Sequence, residues 1–314
     1  MRFIVMSVEK YSMMKNNTLI YVAGPTCVGK TKFSIELAKK FKTEILSCDS
    51  RQFYNEISIG TAVPSKNELS QIKHHFIQHK SIKDIYTVGD FEKDVIQKIN
   101  ELFQDKKILI MVGGSGMYAD AAMFGIDKFP TITEDTRKQI NYFYNKHGLK
   151  SLQNLLFEKD PTYFKSVDIK NPARLIRALE VSISSVRPYS SFLGKTNKKR
   201  DFVSKTILLD CPRNILYQKI NKRVDSMLKK GLKEEAFNLK SYKNLTPLKT
   251  IGYKELFKYF DGKLTFNEAV DEIKKNSRRF AKKQITWFKK YENLIRVSSS
   301  KSVHEVYDIL LRLE

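Results

Sequence analysis

Gly24, Pro25, Thr26, Cys27, Val28, Gly29, Lys30 and Thr31 fit the pattern GxxxxGK[ST]. An apolar run precedes them and a helical pattern follows, which is the setting this motif requires. There the loop N–H groups and the helix N-terminus bind phosphate oxygens. Lys30 neutralises them, and the Thr31 hydroxyl can reach Mg2+. The ligand is of diphosphate type. By motif alone the loop reads as an ATP or other nucleotide-binding site, and the motif does not choose among such ligands.

A nucleoside triphosphatase normally carries a carboxylate at the end of a second hydrophobic strand, to organise metal and water. The best such strand here, KILIMV (107–112), runs instead into Gly113, Gly114 and Ser115. The nearby carboxylate is Asp49, at the tip of the strand EILSC (44–48). In an open parallel sheet that tip opens on the same crevice as the loop. Asp49 is therefore placed to act on an acceptor; the alternative is a turn residue capping the Ser50 loop. Lys219 and Arg223 lie four apart on one helical face. They read either as an anion clamp opposite the loop or as a solvated face, and Arg174 and Arg177 make a similar pair. The segment SRRFAKKQITWFKKY (277–291) joins basic residues to the sole Trp287. It fits a core-packing Trp with a solvated basic face as well as a nucleic-acid surface. His74, His75 and His79 have no Cys or carboxylate partner at ligand spacing and read as structural.

The elements that must position these groups follow from periodicity. TLIYVA (18–23) is a buried strand, and residues 31–41 carry Phe33, Leu37, Ala38 and Phe41 at helical spacing. Phe91, Val95, Ile99, Leu102 and Phe103 mark a second amphipathic helix before KILIMV. This βαβ alternation predicts a parallel sheet with helices on both faces. Residues 120–195 are helix after helix, one of them opened by Asn171 as N-cap and Pro172 at its first position. The strand pattern returns at SKTILLD (204–210), followed by helices over 213–230, ending at Gly231, and over 266–291, opened by a Thr265/Glu268 capping box. The fold class is α/β, a P-loop NTPase-like parallel-sheet core flanked by helices with an all-helical insertion. The expected domains are a disordered extension over 1–17, with Met13 or Met14 as alternative starts, a core over 18–120 and 196–314, and the insertion over 121–195.

The chain has 57 Lys and Arg against 34 acidic residues, a net charge of +23 spread throughout its 314 residues. That balance points to a polyanionic partner, most often nucleic acid, unless it reflects only a generally basic proteome. Three cysteines (Cys27, Cys48, Cys211) make no metal spacing and no even disulfide set, which suits a reducing cytosol. No apolar run approaches the ~20 residues that span a bilayer, and the N-terminus lacks the form of a signal peptide.

Six stretches taken together resemble the tRNA dimethylallyltransferases (tRNA isopentenyltransferases). They are GPTCVGKT, SCDSRQFYNEISIGTAVPS, VGGSGMY, NPARLIRALEV, LKTIGYKE and AKKQITWF, in the family's order from about residue 18 to 292. The resemblance implies transfer of a dimethylallyl group from dimethylallyl diphosphate, with Mg2+, to the exocyclic amine of the adenosine 3′ to the anticodon. The loop would then hold an isoprenoid diphosphate rather than ATP. Asp49 matches the family's general base. Lys30, Thr31 and the loop amides match the group that stabilises the leaving diphosphate, and Arg223 a second phosphate contact. Ser115 falls where the family commonly has Thr. Asp49, Ser50, Arg51 and Gln52 match a tRNA-contacting stretch. Ala173, Arg174, Leu175, Ile176 and Arg177 match a second. Lys249, Thr250, Ile251, Gly252, Tyr253 and Lys254 match a third, and Arg137 a single contact. Cys27 and Lys219 depart from the usual residues. With no zinc-finger extension, the chain resembles the bacterial form, expected to be a cytoplasmic monomer whose partner is the tRNA anticodon arm. The competing classes are an adenylate isopentenyltransferase, a P-loop small-molecule kinase, and a non-catalytic RNA-binding protein with a relic loop.

Overall fold

The computed structural model describes residues 16–194, 198–292, 294–299 and 301–312. The expected N-terminal extension therefore lies, apart from Asn16 and Asn17, outside the described residues. The chain runs β1 (Thr18–Ala23), α1 (Lys30–Phe41), β2 (Ile45–Ser47), α2 (Lys66–Gln71), β3 (His74–His75), α3 (Val88–Leu102), β4 (Ile108–Val112) and α4 (Gly116–Phe124). It continues with α5 (Glu134–Lys159), α6 (Pro161–Ser166), α7 (Pro172–Ser185), β5 (Val203–Asp210), α8 (Arg213–Lys229) and α9 (Leu232–Asn238). The last elements are α10 (Tyr253–Phe260), α11 (Phe266–Phe288), β6 (Leu294–Ser298) and α12 (Val303–Arg312).

The six strands form one sheet in the order β3-β2-β4-β1-β5-β6, every pair parallel. β1 shows why the sheet needs cover on both faces. Leu19, Tyr21 and Ala23 enter one hydrophobic core while Ile20 and Val22 enter another, the two-sided burial of a central parallel strand. Parallel pairing brings the carboxyl ends of β1, β2 and β4 to one edge, so the turns that follow them meet there.

Two short edge strands were not anticipated. β3 is two histidines paired with Ile45 and Leu46, and β6 aligns Leu294–Ser298 with Thr206–Asp210. The terminal helix expected to 291 stops at Phe288, because the chain must turn into β6. Gly231 does more than end α8: at φ 97° it opens α9. Thr265 and Glu268 make the expected capping box, each side chain bonded to the other residue's backbone N–H.

The chain divides into two compact units, one of residues up to Met123 together with those from Arg200, the other Phe124–Lys199. The expected division at 120/121 and 195/196 is moved because Met123 still packs in the sheet's core. Arg200 is likewise held by Glu92 (2.8 Å) and the Ala121 carbonyl (2.7 Å). The second unit has its own core of Ile140, Leu152, Leu156, Leu175, Ala178 and Leu179, and its described residues are helical without a strand. Asn171 caps α7 through the Arg174 N–H (3.3 Å), with Pro172 at the first position. Buried Asp160 caps α6 at Tyr163 N (2.9 Å) and also accepts from Ser190 N (2.6 Å) and Ser190 Oγ (2.8 Å).

Candidate active site

The turns at the carboxyl edge of the sheet open into a cleft of about 1480 Å3. The phosphate loop forms one wall. Gly24 at φ 150° lies against the Leu209 carbonyl, where a Cβ would come within 2.8 Å, and Gly29 at φ 105° starts α1. Both positions require glycine, for approach and for backbone angle. Thr26, Cys27, Gly29, Lys30 and Thr31 line the cleft. Gly24, Pro25 and Val28 are buried and supply backbone only. The Lys30 ammonium donates to the carbonyls of Gly24 (2.9 Å) and Pro25 (2.8 Å). Burial pulls its pKa down to about 8; Asp49 opposes that shift and Arg223 adds to it. Arg223 lines the same cleft, with Nη1 3.8 Å from the Cys27 sulfur. Of the Lys219/Arg223 pair, only Arg223 lies on the cleft; Lys219 is exposed outside its lining.

Asp49 follows β2 and is half-buried in the cleft wall. One carboxylate oxygen accepts from the Arg51 N–H at 3.0 Å, so the turn-capping role is present. It does not exhaust the group, whose second oxygen has no hydrogen-bond partner among the described residues. Ser115, after β4, accepts from Ser50 N and pairs with Ser50 Oγ, both at 3.1 Å. The hydroxyl thus ties the β4 turn to the Asp49 loop. Ser50, Arg51 and Gln52 line the cleft, and Gln52 Nε2 donates to the carbonyls of Thr61 (3.2 Å) and Ala62 (2.9 Å).

The 249–254 segment adds to the cleft lining. Lys249, Thr250, Ile251, Gly252 and Lys254 line the cleft, whereas the Tyr253 side chain is fully buried. In the helical unit Arg137, Ala173 and Arg174 are exposed, Leu175 is buried, and Ile176 and Arg177 are half-buried. Arg177 lies 3.6 Å from Glu180 and over the Phe129 ring at 5.3 Å. The histidines are placed by other contacts. His75 Nε2 meets Glu44 at 2.6 Å, His74 Nδ1 meets the Ile72 carbonyl at 2.8 Å, and His79 packs edge-on against Phe53.

Gln284 carries a role that its sequence position did not reveal. Buried on α11, it accepts from Thr26 N (2.8 Å) and donates to the Gly114 carbonyl (2.9 Å). It therefore fixes the phosphate loop to the turn that holds Ser115. A Cβ on Gly114 would come within 2.2 Å of its amide nitrogen, and one on Gly116 within 2.1 Å of the Trp287 indole nitrogen. The run VGGSGMY is glycine-rich because α11 presses on it. Trp287 is 38% exposed and lines the cleft with Lys290 stacked on its ring at 4.0 Å, so it is not a core side chain. The signal was the stretch AKKQITWF, which pointed to α11 without separating Gln284 from its neighbours.

Fold and cleft together define a P-loop α/β enzyme whose phosphate cradle faces a carboxylate. The IPP transferase family model matches residues 52–291, a span that starts after the phosphate loop and so does not depend on it. The tRNA dimethylallyltransferase of Christiangramia forsetii is 52% identical over 275 residues, covering 88% of this chain and 91% of that protein. That of Flavobacterium psychrophilum is 48% identical over 300 residues, covering 94% and 98%. Among solved structures, the tRNA isopentenylpyrophosphate transferase of Bacillus halodurans superposes with a TM-score of 0.70 at 32% identity, covering 94% of this chain and 96% of that one. A eukaryotic dimethylallyltransferase at 24% identity shares the fold, with a TM-score of 0.77 over 91% of this chain and 75% of its own. The chain belongs to the tRNA dimethylallyltransferase family.

Proposed function

We propose that the protein transfers a dimethylallyl group from dimethylallyl diphosphate to the exocyclic amine of the adenosine 3′-adjacent to the anticodon of tRNA, releasing diphosphate. Family membership supports the reaction class. The observation that carries the residue roles is that Lys30, Arg223 and Asp49 line one cleft, with Asp49 and Arg223 both acting electrostatically on Lys30.

In this reading the adenine nitrogen attacks the allylic carbon bonded to oxygen. The new C–N bond forms as the C–O bond breaks, the electron pair leaves with diphosphate, and the amine proton passes to Asp49. An adenine amine is a poor base whose proton becomes acidic only as the new bond forms. What the reaction asks of Asp49 is therefore position. Negative charge grows on the departing diphosphate, where Lys30, Arg223 and the loop amides stabilise it. Thr31 lines the cleft, and among the described residues its hydroxyl has no partner. That hard oxygen, with the diphosphate oxygens, fits Mg2+, which keeps most of its waters and takes few protein ligands. A bound ion would add positive charge beside the leaving group.

The acceptor is an unpaired loop base, so extruding it costs less than the few kcal/mol of a duplex base. Basic residues would grip the anticodon arm through its phosphates, which positions without reading sequence. Among the described residues no helix is long and apolar enough to cross a membrane. The deciding experiment supplies labelled dimethylallyl diphosphate with tRNA or with AMP. Label in tRNA alone is expected. Label in AMP would make the protein a free-nucleotide enzyme, and label in neither, with ATP hydrolysed, would end this reading.

A further inference from the structure

The 58–62 loop and the 249–254 segment are distant in sequence, yet both border the acceptor side of the cleft. One carboxylate from a third element joins them. Three consecutive backbone N–H groups donate to Glu235 on α9: Ser58 at 3.0 Å and Ile59 at 2.9 Å to Oε2, and Gly60 at 3.0 Å to Oε1. The Tyr253 hydroxyl donates to Oε1 at 2.5 Å. An ionised carboxylate offers about four acceptor positions, and here four protein donors take them. Successive amides converging on one anion form a nest, and bonds to a charged acceptor are roughly twice as strong as neutral ones.

The contact is also steric. A Cβ on Gly60 would lie 2.5–2.6 Å from the Tyr253 ring, which is itself fully buried. Only glycine lets the loop close on that ring. From Gly60 the chain passes to Thr61 and Ala62, whose carbonyls hold Gln52, three residues beyond Asp49. From Tyr253 it passes to Gly252, whose N–H is held by Glu255 at 2.8 Å, beside the cleft-lining Thr250 and Ile251. None of these bonds touches the phosphate loop.

We infer that Glu235 is a positioning residue that sets the register between the two acceptor-side walls, so that its loss is felt on the RNA substrate and not on the donor. The inference rests on the tRNA-modifying reading above. Its test uses the full chain, with tRNA and dimethylallyl diphosphate each varied at saturating levels of the other. Glu235→Gln keeps the side-chain volume but turns an acceptor into a donor facing N–H groups. It should raise the KM for tRNA about tenfold or more, while the KM for dimethylallyl diphosphate stays within about twofold of the original. Tyr253→Phe keeps the ring against Gly60 and removes one donor of the four, so the same KM should rise by roughly threefold. Equal increases in both KM values would mean that Glu235 merely supports the fold, and an unchanged KM for tRNA would overturn the inference outright. If Glu235→Gln does not fold, Tyr253→Phe decides by the same criteria. A wild-type chain that leaves tRNA unmodified would remove the functional reading, and this inference with it, before any variant is made.

Discussion

The two sides of the cleft are built by opposite means. The donor side is local: residues 24–31 bend back on themselves, and Lys30 bonds carbonyls only five and six positions away. The acceptor side is assembled from afar. Glu235 reaches Gly60 across 175 positions, and Ser115 reaches Ser50 across 65. A cradle made mostly of backbone groups recognises what all diphosphates share. A wall made of long-range side-chain bonds can be shaped to one macromolecule. Gln284 bridges the two, spanning 258 positions to Thr26, and sets the distance between them.

The sharpest break in this comparison should come from Asp49, the cleft-wall carboxylate proposed to take the amine proton. Asp49→Ala should lower turnover by ~10²–10⁴ while affinities for donor and tRNA survive. Rapid-quench measurement of transfer, beside equilibrium binding of each substrate, separates the two effects. A mutant with unimpaired chemistry would remove Asp49 as the base.

The second largest effect should be that of salt, and it should divide the two sides. With a net charge of +23 and a phosphate-rich partner, tRNA affinity should drop roughly a hundredfold from about 50 to about 200 mM salt if about five phosphates are neutralised. A donor diphosphate held by Lys30 and Arg223, as proposed, would sit inside the cleft they line, where screening is weak. Its affinity should change far less. A flat tRNA response would reject the electrostatic grip.

What could be read from the sequence follows the same division. The phosphate loop is contiguous, and the placement of Asp49 beside it was legible because a strand tip in a parallel sheet has only one crevice to face. Asn171 and Thr265 were legible because a cap bonds its own first turn. Glu235 and Gln284 were not. Each is an ordinary polar residue on a helix, and its partners are fixed only when the sheet brings distant turns together. The strands β3 and β6 were missed for a related reason: His74–His75 and Leu294–Ser298 are short, and pairing with a neighbour, not their own alternation, makes them strands.

A smaller effect tests the donor wall alone. Burial lowers Lys30 from 10.5 to about 8, so its charge is present below that pH and is lost above it. Donor affinity, measured without added divalent cation, should be highest below pH 8 and decline by up to about tenfold for each further pH unit. Lys30→Arg, which keeps its charge throughout, should flatten that decline. The sign for folding is the reverse. Between pH 8 and 10.5 the unfolded chain binds the proton that the native state has released, so stability of the free protein should rise across that window through this group. A donor affinity that is level through pH 9 in the wild type would mean that Lys30 keeps its proton.

The smallest expected effect sharpens where the donor wall ends. Cys27 is half-exposed in the loop, with the Arg223 guanidinium against its sulfur and the cleft open beside it. A bound diphosphate that engages Arg223 covers this sulfur, so alkylation of Cys27 should slow several-fold in the presence of dimethylallyl diphosphate. Cys48 is fully buried, with its thiol pushed up by burial, and should not react; Cys211 serves as the internal reference. Transfer RNA added alone should leave the Cys27 rate unchanged: Gln284 links the acceptor side to the loop at the Thr26 N–H, but Glu235 and Gln52 hold the acceptor wall through bonds that do not reach the Cys27 sulfur. Protection by tRNA alone would show that the two walls close together, and the division between a local donor cradle and a long-range acceptor wall would then describe their construction but not their motion.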